Sequence, residues 1–247
     1  MKNGGIKIML TIIPVLFTAW AHAQRGAPML VTPPVDIAKM QQVGIVMYDN
    51  IQEISEKAGA VEAAVYLRDD WSEGTILTSS GHELANVLIK YDIKNNVLEL
   101  ATQEGTKVLS GNYVRQFELK EGNTAPKTRF INSKSLGGPS DTHTGFYEIL
   151  TSGARAQLLV RIELIREKPN YSPIMDVGSK RSGFRKKETL CMESNSQVVE
   201  VKDKDIYNLF GTYQDDMKRY AKSNKLKLKK REDAVRLINY YNSFPQS

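Results

Sequence analysis

The chain is poor in the residue types that usually carry catalysis and metal binding. It has one cysteine, three histidines and two tryptophans in 247 residues. A single cysteine, Cys191, excludes an internal disulfide even in a compartment that would permit one. It also excludes the cysteine-rich sets of structural zinc, which take four nitrogen or sulfur ligands. A thiol nucleophile needs a basic partner such as histidine. Beyond residue 23 only His82 and His143 could supply one. Cys191 lies in ETLCMES, which alternates like a strand, so it is expected to be a small buried hydrophobe.

Catalytic motifs are scarce too. There is no G-x-S-x-G elbow, no H-E-x-x-H helix and no calcium loop of regularly spaced Asp and Asn ending in Glu. Ser140, Asp141 and His143 stand together in PSDTHTG. A catalytic triad converges from separated positions, so this cluster is expected to be a polar loop. His82, in SSGHEL, reads as a solvated turn residue, and Asp69-Asp70 has no ligand set around it. No metal and no cofactor is expected. Paired carboxylates for glycoside cleavage are defined by spacing in space, and the sequence leaves that route open.

Long hydrophobic runs are missing after the first. Residues 8–20, IMLTIIPVLFTAW, are too short to span a bilayer comfortably. Lys2 and Lys7 precede this run and Ala21-His22-Ala23 follows it. Together they make the three-part pattern of a secretory signal peptide cleaved before Gln24. No cysteine near that site would take a lipid anchor. The mature chain is therefore expected to be soluble, periplasmic or secreted, with no transmembrane span. Export makes nucleic acid a poor partner. It leaves lipopolysaccharide, anionic lipid, glycan or another envelope protein.

What is present reads as an α+β chain. Residues 24–36 form an extended, Pro-rich lead-in. The stretch 37–58 suggests a short strand, VGIVMY, followed by a short helix, DNIQEISEKA. From 61 to 119, runs rich in Val, Ile, Leu and Tyr alternate with the turns SSGH, DIKNN, QEG and GN, as in an antiparallel meander. Residues 120–145 read as a polar connection. FYEILTSGARAQLLVRIELI and RKKETLCMESNSQVVEVK read as two more hairpins, with a loop over 166–184 between them. From about 203, Ile206, Leu209, Phe210, Tyr213, Met217 and Tyr220 follow helical spacing, and a second helix covers 231–243. The expected organisation is a signal peptide over 1–23, a lead-in over 24–36, an antiparallel hairpin-rich β domain over 37–202, and a two-helix hairpin over 203–247 packed on it.

Three segments carry a resemblance: VGIVMYDNIQEISEK, KPNYSPIMDVGSKRSGFRKKETL and KSNKLKLKKREDAVRLINYYNSF. They resemble uncharacterised exported proteins of Gram-negative bacteria. The resemblance implies an envelope location and no particular activity.

Charge is the most uneven feature. Removing residues 1–23 lowers the net charge from +6 to +4. Residues 155–187 carry nine cations and three anions, and 218–231 carry eight cations and no anion, leaving the rest of the mature chain at −10. The run GSKRSGFRKKE has the glycine spacing of a phosphate loop. However, Phe184 and Arg185 stand where Lys and Ser/Thr are required, so it is not a nucleotide-binding motif. Either the two basic segments are balanced inside the protein, or they form a positive surface for an anionic partner. The candidate anion-binding residues are Lys180, Arg181, Arg185, Lys186 and Lys187 in one loop, assisted by Lys225 to Arg231. Among the tail aromatics, Tyr240 is the one that helical spacing does not assign to the core. The expected function is a non-enzymatic envelope binding or interaction protein. The alternatives are a secreted hydrolase of envelope or dietary polymers, or a β-rich carrier of an apolar ligand.

Overall fold

The computed structural model describes residues 65–120, 126–136, 143–169, 175–176, 182–201 and 205–245, and the backbone of 47–48. The expected signal segment, the expected lead-in and the helix expected at DNIQEISEKA lie outside the described residues.

The β domain begins with β1 (Met47–Tyr48), β2 (Ser72–Thr78), β3 (Glu83–Asp92), β4 (Val97–Thr102), β5 (Gly105–Ser110) and β6 (Val114–Leu119). It continues with β7 (Thr128–Asn132), β8 (Phe146–Ser152), β9 (Gln157–Glu167), β10 (Gly183–Ser194) and β11 (Gln197–Glu200). These strands form one sheet in the order β1-β5-β4-β3-β2-β6-β7-β8-β9-β10-β11, and every pairing is antiparallel. The chain is therefore α+β, with a hairpin-rich sheet followed by two helices, α1 (Gln214–Ser223) and α2 (Arg231–Asn242).

The turns are where their residues place them. Asn195 and Ser196 both adopt positive φ, as a two-residue hairpin turn of the primed type requires. The expected polar connection over 120–145 instead contains a strand, β7. Its TRFIN sequence is short and half polar, so it gives little periodic signal. Phe130 nevertheless enters the core, and the buried Asn132 donates from Nδ2 to the Gly111 and Val114 carbonyls at 2.8 and 2.9 Å.

The sheet curls on itself. Tyr91 of β3 and Phe146 of β8 are separated by β2, β6 and β7 in the ladder, yet their ring centroids are 5.2 Å apart. Phe117 stacks on Phe130 at 4.7 Å and meets Phe146 edge-on at 4.9 Å. Leu98, Leu100, Leu109 and Val114 complete this first core with no exposed surface. The inside of the curl is thus filled by side chains.

The C-terminal segment makes a second core on the same sheet. Leu158 of β9 and Met192 of β10 pack with Ile206, Phe210, Met217, Leu237 and Ile238. The expected single helix from 203 is divided in two. A 3₁₀ segment over Asp205–Tyr213 is interrupted at Gly211, whose φ of +54° suits glycine, before α1 begins. The second helix ends one residue earlier than its spacing suggests. The segment docks through Asn242, which binds the β8–β9 turn. Its Oδ1 accepts from the amides of Arg155 and Ala156 at 3.1 and 3.0 Å, and its Nδ2 donates to the Ala156 carbonyl at 3.0 Å. A Cβ on Gly153 would lie 2.3 Å from Asn242 Cγ, so glycine is needed for this approach.

Candidate functional site

The basic residues divide into those consumed by the fold and those left at the surface. Arg155 is consumed. Its Nε donates to the Phe244 carbonyl at 3.2 Å and its Nη2 to the Tyr213 hydroxyl at 3.3 Å and the Pro245 carbonyl. The guanidinium also lies 4.7 Å from the Tyr213 ring centroid. Beside it is a groove of about 630 Å³ lined by Arg155, Glu193, Ser194, Asn195, Ser196 and Tyr241, among others. Its polar groups are largely committed. Glu193 accepts from Gln157 and from the Ser196 amide, and Ser194 Oγ donates to the Arg155 carbonyl. This groove is the seam between the sheet and the helical segment.

Of the five expected anion-binding residues, Lys180 and Arg181 lie outside the described residues. Arg185, Lys186 and Lys187 are exposed, and they are not in a loop: they belong to strand β10. Arg185 Nε donates to Glu167 Oε1 at 2.9 Å, on the neighbouring strand. Lys186 Nζ donates to the Leu67 carbonyl at 3.0 Å. Among the described residues Lys187 has no carboxylate within ion-pair distance.

The second basic segment follows a period-2 pattern between α1 and α2. In KLKLKK, Leu226 and Leu228 pack into the helical core, while Lys225, Lys227, Lys229 and Lys230 are exposed. Lys227 donates its amide to Asp233 Oδ2 at 2.9 Å, and Lys230 donates its amide to the Lys227 carbonyl at 2.8 Å, which folds the loop onto the start of α2.

Arg231, the first residue of α2, joins the two basic segments. Its guanidinium grips Glu148 of β8 bidentately, at 2.9 and 3.1 Å, and reaches Glu188 of β10 at 2.8 Å. A cation at a helix N-terminus opposes the macrodipole, and here two carboxylates offset that cost. Burial works against the Arg231 charge, but the Glu148 and Glu188 carboxylates outweigh it and raise its pKa further. Fork-to-carboxylate geometry makes this the most directional ion pair in the region. Glu188 follows Lys187 in sequence, and Arg231 follows Lys230. The pair therefore fixes the α1–α2 loop on the face of β10 that carries Glu188 and Lys186, while Arg185 and Lys187 project from the opposite face.

Sequence reasoning singled out both basic segments but neither Glu148 nor Glu188. The only available signal was that Glu188 ends the basic run. These two carboxylates converge, but on an arginine and not on an open pocket. The remaining candidates are placed as follows. Cys191 is buried and unbridged. His82 is exposed in its turn, and His143 lies against the Tyr147 ring at 4.9 Å, while Ser140 and Asp141 are outside the described residues. Asp69 and Asp70 are exposed. Tyr240 stacks on Tyr220 with centroids 3.9 Å apart, so helix-to-helix packing accounts for it. Among the described residues, no group of three or more His, Cys, Asp or Glu could hold a metal ion, and no helix is long and apolar enough to cross a membrane. No known family, curated protein or solved structure matches the chain.

Proposed function

We propose that this is an exported, non-enzymatic envelope protein whose β body holds a cationic surface for an anionic partner. The surface comprises Lys225, Lys227 and Lys230 in the α1–α2 loop, and Lys187 adds a cation on the opposite face of β10. Export rests on the signal-peptide pattern of residues 1–23 and on the resemblance of three segments to exported Gram-negative proteins. The observation that carries the binding reading is the Arg231 pair with Glu148 and Glu188. It uses one cation of the region to fix the start of α2 and the loop that carries the other lysines. Lys187, Lys225, Lys227 and Lys230 carry no ion pair among the described residues. Arg185, Arg219 and Arg231 do. Unpaired lysines gathered on an otherwise acidic chain create a local positive field, which attracts anions and weakens with salt. The envelope supplies such partners as lipopolysaccharide, anionic lipid, glycan and acidic protein.

The test is retention on a dextran-sulfate column and co-sedimentation with vesicles rich in anionic lipid, at low and high salt. The purified protein is compared with a variant carrying Lys187→Ser, Lys225→Ser, Lys227→Ser and Lys230→Ser. Salt-sensitive binding that the variant loses supports the reading. Equal binding by the variant, or none by either protein, overturns it.

A further inference from the structure

Strand β10 is twelve residues long, but its outer neighbour β11 covers only Cys191–Ser194. Among the described residues, the last backbone bond on that side is the Val201 amide donating to the Leu190 carbonyl at 2.8 Å. This bond fixes the phase of the strand. Hydrogen-bonding direction alternates along a strand, so even-numbered residues of β10 turn their N–H and C=O toward β11. Odd-numbered residues turn theirs toward β9, to which Gly183–Glu193 are paired throughout. Beyond Leu190, the backbone groups of Phe184, Lys186 and Glu188 therefore face outward from the sheet. Among the described residues no strand pairs with them. Arg185, Lys186, Lys187 and Glu188 are all exposed, although on one face Lys94 stands 5.5 Å from the Phe184 ring centroid, Lys186 reaches the Leu67 carbonyl and Glu188 meets Arg231.

We infer that this edge, Gly183–Thr189, is a strand-addition site for an extended acidic segment of a partner protein. This rests on the anionic-partner reading above and names the partner class. At about 3.4 Å per residue the open edge is about 20 Å long, enough for a short peptide strand. Charge selects the occupant. The side chains of Arg185 and Lys187 share one face, at non-hydrogen-bonded positions where cross-strand side chains come closest. Acidic residues at alternate positions of an added strand would sit opposite them. Glu167 already shows this pairing on the β9 side, where it accepts from Arg185. Lys187 stands opposite Glu163 in the ladder, but that carboxylate pairs with Arg161, and among the described residues no ion pair to Lys187 is formed. A second copy of β10 is a poorer occupant in the register centred on Lys186. It would set Lys186 against Lys186 and Arg185 against Lys187, and like charges directly opposite are destabilising.

The probe is a fluorescent nine-residue peptide of alternating Glu and Val, titrated onto the purified protein at low salt. A second peptide of the same sequence is N-methylated at alternate residues, which keeps the charge and removes the donors on its pairing edge. Two substitutions separate backbone from charge. Lys186→Pro deletes an outward N–H without touching the β9 ladder, a position where edge proline is tolerated. Lys186→Thr keeps that N–H and removes the ammonium. Strand addition predicts binding of the first peptide, weakened at least about tenfold by N-methylation, by Lys186→Pro or by Lys187→Glu, and changed less than about threefold by Lys186→Thr. Equal affinity for both peptides overturns the inference and leaves the anionic-partner reading standing. So does retention on dextran sulfate with no peptide binding. A dimer of the protein that Lys186→Pro dissociates also overturns it, by making a second copy the occupant.

Discussion

Strands β9 and β10 are built as two different objects along their length. At the turn end, Leu158 and Met192 are fully buried beneath the helical segment, and Asn242 ties the adjoining β8–β9 turn to α2. At the other end, Arg166, Glu167 and Arg185–Glu188 are exposed, and among the described residues no strand pairs with the outer edge of β10. The ladder between the two strands is continuous through both ends. Backbone pairing alone therefore does not distinguish them. The difference lies in what covers the ribbon: an apolar face under helices at one end, and cations in water at the other. Arg231 stands at the changeover, where the first carboxylate of β10 on its inner face, Glu188, meets the start of α2.

This contrast can be broken most severely at the covered end. Met192→Ala should destabilise the protein by about 2–5 kcal/mol, the range for emptying a buried site of that size, measured by urea unfolding. A loss below about 1 kcal/mol would mean that the helices are not held there. At the changeover, Arg231→Ala strands Glu148, whose side chain is only 15% exposed. Because Glu188 and Arg231 are partly solvated, the cost should be about 1–2 kcal/mol and not the larger penalty of a fully buried pair. Adding Glu148→Gln should recover part of it, since the remaining partner is then neutral.

A proline pair sharpens the contrast at the open end. Lys187→Pro removes an amide that faces β9 and should destabilise by about 1–3 kcal/mol. Lys186→Pro, one residue away, removes an outward amide and should cost less than about 1 kcal/mol. Equal costs would contradict the assigned phase of the strand. The smallest effect is expected for Lys187→Ser, within about 0.5 kcal/mol of the parent protein. The same change should weaken polyanion binding measurably.

The two ends also differed in how legible they were. LLVRIELI and TLCMES alternate or run apolar because one or both faces are buried, so period and composition revealed the covered strands. RKKE has no period because all four side chains are exposed; it read both as the start of a hairpin and as part of an anion-contacting loop, and it is strand. β7 was hidden for a related reason: Asn132 is a buried polar residue satisfied by carbonyls from elsewhere in the chain, which looks like loop chemistry in sequence. The break at Gly211 was hidden because the apolar stripe on either side keeps helical spacing. The candidate surface was legible only as two basic segments. Their meeting depends on Glu148 and Glu188, acidic residues on separate strands with nothing in their own neighbourhoods to mark them.

Residue-resolved amide hydrogen exchange along β10 tests the two-ended account most directly. The account predicts that the amides of Arg185, Lys187 and Thr189 are protected by the β9 ladder while those of Phe184, Lys186 and Glu188 exchange quickly. It also predicts that from Leu190 to Ser194 both sets are protected. Uniform protection from Phe184 to Ser194 would contradict it, because the edge would then already be paired and Lys187 would belong to a closed sheet.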